Sequence, residues 1–214
     1  MRVEFHRQLE RLDISIGSLL TLVPDAVVMA TSAVVGSDAE IGAGLDRWRG
    51  LVSGLYEDVD HTIEVVVARQ QPVAGDLRFL LACVRIVPAL RDAIELVGDL
   101  AAPSRRELGS FLTPRITALI ERLGEQDRQL WADVDEAWRL RDEGRLQAVR
   151  KQVDWIADTR SALVTELASG VVDLPIAIEL AILSRIFDRL AHRGLDTSRC
   201  MEPVAAKRPG DLLA

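Results

Sequence analysis

RQQPVAGDLRFLLACVRIVPALRDAIELVGD, residues 69–99, decides the fold. Gln70, Gln71, Pro72 and Gly75 break any helix entering from the N-terminal side. Asp76 follows in the place of an N-cap, a short acceptor for the backbone N–H groups of a first turn. Beyond it the residues repeat at helical period and carry two apolar stripes. Cys83, Ile86, Leu90 and Val97 share one face, and Leu77, Leu81, Val84 and Pro88 share the other. At the same angular position the second stripe continues as Arg91, Glu95 and Asp99. Such a helix is expected to be buried on both sides over its first turns and to carry ionisable groups at its far end.

Outward from this stretch, five more helical segments follow from period and punctuation. The first covers residues 2–35, ended by Gly36-Ser37 with a fresh cap at Asp38; the second covers 38–69. The third ends near Ala102-Pro103. The fourth starts at Thr113-Pro114, a cap with proline in the first turn, and runs to Asp142, where Glu143-Gly144 is expected to break it. The fifth spans 145–169 and stops at Gly170; the sixth is capped by Asp173 and runs to Ser198. Residues 201–214 read as a poorly ordered tail.

Composition agrees with helices. Hydrophobic residues make up 49% of the 214, enough for a large core, while aromatics at 4% argue against a sandwich or barrel. A net charge of −7 without a strong basic patch disfavours nucleic-acid binding. Arg105, Arg106, Arg115 and Arg122 make at most a modest cluster on an exposed face. Cys83 and Cys200 fit neither a disulfide framework nor a thiolate metal site, so a reducing, cytoplasmic setting is expected. The most apolar run, residues 14–35, holds Pro24 and Asp25 near its middle and reads as a buried helix rather than a membrane span.

The chain also repeats itself. Asp76-Leu77 and Asp173-Leu174 lie 97 residues apart, each opening a helix after a breaker. At that offset Leu77 falls on Leu174, Cys83 on Leu180, Ile86 on Leu183 and Leu90 on Phe187. Arg91 falls on Asp188, Glu95 on His192 and Asp99 on Asp196. An all-α fold of two tandem three-helix bundles is expected, with repeats at 1–103 and 104–200.

Gln71-Pro72-Val73-Ala74-Gly75-Asp76-Leu77-Arg78 and the later Ser184-Arg185 resemble motifs of the PhoU family of phosphate-signalling regulators. In that family a Q-P-x-A-x-D-L-R segment leads into a helix ending E-R-x-G-D, and the second half repeats it as S-R-x-x-E-R-x-x-D-H. The resemblance covers nearly the whole chain. It implies a cytoplasmic homodimer of paired three-helix bundles, touching the membrane only through its partners. It also implies contacts with the ATPase subunit of the phosphate ABC transporter and with the phosphate-sensor histidine kinase, restraining the phosphate regulon when phosphate is sufficient.

The resemblance further implies metal positions, since family members carry an E/D-x-x-x-D motif in each half and several bind iron, zinc or magnesium there. Carboxylates four apart share a helix face and bridge hard cations. Here the offset gives Arg91-x-x-x-Glu95 and Asp188-x-x-x-His192, and a shift of one turn gives Glu95-x-x-x-Asp99. Arg91 cannot ligate, because guanidinium has no free acceptor; His192 can, through an imidazole nitrogen. The candidate ligands are therefore Glu95, Asp99, Asp188, His192 and Asp196. The competing expectation is ordinary pairing, Arg91 with Glu95 at i+4 and His192 with Asp188 or Asp196.

Three function classes follow: a regulatory adaptor, a metal-carboxylate bundle, and a metal-free helical scaffold detached from phosphate signalling. No Glu-x-x-His pair, Gly-rich phosphate loop, nucleophile elbow or zinc-protease motif is present, so catalysis is not expected.

Overall fold

Caps and breakers divide the chain into six long helices. A computed structural model describes residues 2–36, 38–69, 74–102 and 108–204. The helices are α1 (Arg2–Gly36), α2 (Ala39–Arg69), α3 (Ala74–Ala101), α4 (Pro114–Leu140), α5 (Glu143–Ala168) and α6 (Leu174–Met201). Short 3-10 turns lie at Leu108–Phe111 and Glu202–Val204, and there is no strand among the described residues.

Most starts have a visible cause. Asp38 Oδ1 accepts the N–H groups of Glu40 and Ile41, each at 3.0 Å. Thr113 Oγ1 accepts from Ile116 N at 3.3 Å, with Pro114 in the first turn. Asp173 holds the N-cap position in extended backbone, without a side-chain cap bond. Asp76 departs from expectation: α3 already begins at Ala74, so Asp76 lies buried inside the first turn and faces the positive end of the helix dipole. The Gln70-Gln71-Pro72 breaker, the Arg105-Arg106 pair and residues 205–214 lie outside the described residues.

The α4–α5 break also falls earlier than Glu143-Gly144, which form the first turn of α5. Arg141 makes the turn in the left-handed region, φ 57°, and Asp142 caps α5 through Gly144 N at 2.8 Å. A non-glycine residue there costs about 1 kcal/mol. Arg141 is held by its ion pair to Asp13 of α1 and by stacking over the Trp138 ring at 4.3 Å. Arg141→Ala is therefore expected to cost about 2–3 kcal/mol, and Arg141→Gly about 1 kcal/mol less because it sheds the backbone strain. Urea unfolding of both variants checks the order; an alanine variant as stable as the glycine variant would contradict it.

Contacts define the architecture. α1, α2 and α3 pack on one another, as do α4, α5 and α6. The trios join through α1 on α4 and α3 on α6, leaving α2 and α5 outside. Exchanging the first three helices for the last three leaves this pattern unchanged. The seams run antiparallel. Along α1 and α4, Asp13 meets Trp138 at 3.2 Å and Thr21 meets Asp135 at 3.1 Å, while Thr31 lies against Gly124. Along α3 and α6, Asp92 meets Arg193 at 3.1 Å, and the turn after α6 returns to α3.

α1 is long and apolar enough to cross a membrane by length and composition, and it runs on through Pro24. In this fold it packs against α2, α3 and α4, with Leu9, Ile16, Leu20, Val23 and Val27 fully buried. Burial of such a side chain contributes about 1.5–3 kcal/mol, so α1 is a principal core element. Trp131 and Trp138 are buried as well, whereas Trp155 is exposed.

Two expectations are corrected. α3 is buried on one side only: Cys83, Ile86, Leu90 and Val97 are in the core, but Leu77, Leu81 and Val84 are 40–46% exposed. α2 and α6 flank α3 without covering that stripe. The tail is also shorter than expected, since Met201 and Val204 are buried against the bundle.

Candidate metal positions and exposed apolar rows

The ionisable positions of α3 and α6 were placed by helical spacing, and the fold decides what surrounds them. On α3, Glu95 is met by Arg49 of α2, with Nη1 3.3 Å from the carboxylate. Arg49 also lies 3.7 Å from Asp46. Gly98 gives it room: a Cβ there would stand 2.8 Å from Arg49 Nη1 and 3.1 Å from its Cδ. Arg91 does not pair with Glu95 as the i+4 alternative held; its guanidinium lies over the Tyr56 ring at 5.1 Å. Asp99 is exposed, with no ion pair among the described residues.

On α6, Asp188 is met by Arg160 of α5 at 3.4 Å. His192 Nδ1 lies 2.7 Å from the carbonyl oxygen of Asp188 rather than its carboxylate. A carbonyl only accepts, so Nδ1 donates and Nε2 is the nitrogen left for another partner. Asp196 lies 3.3 Å from Arg193 and 3.7 Å from Arg199. A shallow cleft of about 270 Å³ is lined by Asp188, Arg189, His192 and Arg193, two of the four being cationic.

The five candidate ligands thus fall on two helices. Among the described residues no three His, Cys, Asp or Glu side chains form a group that would hold a metal ion. The donor set does not fit a metal cluster: Glu95, Asp188 and Asp196 each face a guanidinium, while Asp99 and His192 sit on different helices. Zinc asks for four ligands and magnesium for about six oxygens.

One ionisable residue escaped the sequence reading. Asp127 of α4 is fully buried, and neither carboxylate oxygen has a hydrogen-bond partner. Burial pushes its pKa well above the usual aspartate range, and the nearby Asp188 charge adds to the shift. The signal was present: Ile116, Ile120, Leu123, Leu130 and Val134 form a buried stripe, and Asp127 occupies the step between Leu123 and Leu130.

The exposed apolar residues are ordered too. Leu77 and Leu81 of α3, beside Val84, have counterparts at the 97-residue offset in Leu174 and Ile178 of α6, which with Ile182 are 52–73% exposed. A groove of about 630 Å³ between α1 and α2 is lined by Leu12, Leu19, Leu55 and Val59, with Arg11, Asp58 and His61 at its polar positions.

Fold and surface together define a class: a two-repeat, six-helix bundle with charged motif positions on α3 and α6. No family model matches the chain. It is 24% identical over 205 residues to "Phosphate-specific transport system accessory protein PhoU homolog 2" of Mycobacterium tuberculosis, covering 93% of this chain and 95% of that one. It is 25% identical over 212 residues to PhoU homolog 1 of the same organism, covering 93% and 91%. The crystal structure of PhoU from Pseudomonas aeruginosa superposes with a TM-score of 0.85 at 17% identity, covering 95% of this chain and all of the other. That of the phosphate transport system regulatory protein PhoU from Streptococcus pneumoniae gives 0.80 at 16%, covering 95% and 98%. The chain is thus similar along nearly its whole length to proteins named PhoU, and it shares the fold of the PhoU crystal structures.

Proposed function

We propose that this chain is a non-catalytic accessory protein of phosphate uptake, working in the cytoplasm as a homodimer. It restrains the phosphate regulon under phosphate sufficiency through contacts with the ATPase subunit of a phosphate ABC transporter and with a phosphate-sensor histidine kinase. The carrying observation is similarity along the full length, 93% of the chain, to proteins named for an accessory role in phosphate-specific transport. Exposed apolar residues aligned in rows on α3 and α6, rather than scattered singly, are consistent with surface for such contacts. Deleting the gene and following an alkaline-phosphatase reporter in phosphate-rich medium tests the role. Expression is expected to rise severalfold and to return on complementation, whereas unchanged expression contradicts it.

A second reading, a helical scaffold detached from phosphate signalling, is favoured by the arginines seated on the motif carboxylates. Affinity capture from the native cell separates the two. Recovery of the transporter ATPase or the sensor kinase supports the first, and recovery of neither supports the second.

A further inference from the structure

We infer that guanidinium groups, and not metal ions, bridge the second and third helices of each repeat at the motif positions. In the first repeat Arg49 reaches from α2 to Glu95 of α3 at 3.3 Å. Its Cδ and guanidinium lie against the α3 backbone at Gly98, in the space a side chain at that position would fill. The glycine of the Glu95–Asp99 segment thus serves the arginine: any larger residue would push the guanidinium off its carboxylate. In the second repeat Arg160 reaches from α5 to Asp188 of α6 at 3.4 Å. The two bridges join equivalent helix pairs, one turn apart in register. Arg193 adds a third link, between Asp92 of α3 at 3.1 Å and Asp196 of its own helix at 3.3 Å.

A bridging cation neutralises carboxylates and ties an outer helix to an inner one. An arginine from the outer helix does both with one side chain, and it brings a fork of donors that matches a carboxylate. The two roles exclude each other. A divalent ion approaching Glu95 or Asp188 meets a positive charge within 4 Å, and at Glu95 it also finds a carboxylate oxygen already accepting a hydrogen bond from Arg49. Among the described residues Asp99 and His192 Nε2 remain without a guanidinium, one donor on each helix, fewer than zinc or magnesium requires.

The test is elemental analysis of the full chain, purified without chelator and again after dialysis against zinc, magnesium, or iron(II) under anaerobic conditions. The expected result is metal well below one equivalent in every sample, with a melting temperature indifferent to EDTA. Stoichiometric metal that is lost in Glu95→Gln or in Asp188→Asn/His192→Asn overturns the inference; metal that survives those substitutions sits elsewhere and leaves it standing. A double-mutant cycle of Arg160→Gln with Asp188→Asn reads the bridge itself. The two are expected to couple by roughly two- to tenfold in the unfolding equilibrium, and additivity overturns the bridge.

Discussion

Replacing Gly124 by alanine is expected to lower the melting temperature by roughly 4–12 °C, or about 2–3 kcal/mol. On an exposed helix the same change would help, since alanine exceeds glycine in helix propensity by about 1 kcal/mol. Here the α1–α4 seam decides the sign. A Cβ at residue 124 would stand 2.6 Å from Thr31 Cγ2 and 2.9 Å from Thr31 Cβ. Thr31 Cγ2 can rotate away, but its Cβ is fixed to the α1 backbone, so the two helices must part. Parting them strips contact from α1, whose Val23, Val27 and Ala30 are fully buried beside the seam. Thr31→Ala in the same chain removes Cγ2 and Oγ1 but keeps Cβ, so it should restore part of the loss. Thermal unfolding of the two single variants and the double reads the cycle. A glycine-to-alanine gain would mean that α1 and α4 do not approach as described.

Asp127→Asn is expected to stabilise the protein at neutral pH by about 1–3 kcal/mol. Aspartate in that position has no hydrogen-bond partner and no access to water, and its charge lies near that of Asp188. Its folded pKa is raised above its unfolded one, so the folded state holds the proton more tightly. Stability is therefore undiminished below the unfolded value, about 3.9, and falls as pH climbs toward the raised folded pKa. The gain from asparagine should vanish near pH 4 and grow toward pH 7. Melting temperatures of both proteins across that range give the measurement; a gain independent of pH, or a loss, would show that the carboxylate is neither buried nor unpaired as found. The residue is costly where it stands, and nothing in the structure explains its presence.

Much of the fold was legible because helix punctuation is local. Asp38 and Thr113-Pro114 cap the helices that their residue types announce, and Asp173 stands at the N-cap it suggests. The turn at Arg141 was not legible, because no glycine marks its positive φ. Its support comes from Asp13 and Trp138, and Asp13 becomes a neighbour only when α1 and α4 pack. The second stripe of α3 misled for a related reason. Period shows that Leu77, Leu81 and Val84 share a face, but whether a helix covers that face depends on where α2 and α6 settle. At the motif positions spacing suggested partners four residues away, whereas Arg49 and Arg160 arrive from neighbouring helices, 46 residues before Glu95 in the first case. Gly98, between Glu95 and Asp99, is the seat of that arginine. Asp127 was readable in the α4 stripe, as a charge in an apolar register.

Purified chain titrated separately against the ATPase subunit of the phosphate transporter and against the cytoplasmic part of the phosphate-sensor kinase, both from the same cell, addresses the proposed role most directly. Saturable binding to at least one of them, weakened by Leu81→Asp or Ile178→Asp on the exposed rows of α3 and α6, is the predicted result. Binding to neither partner, with the chain fully folded, contradicts the adaptor role.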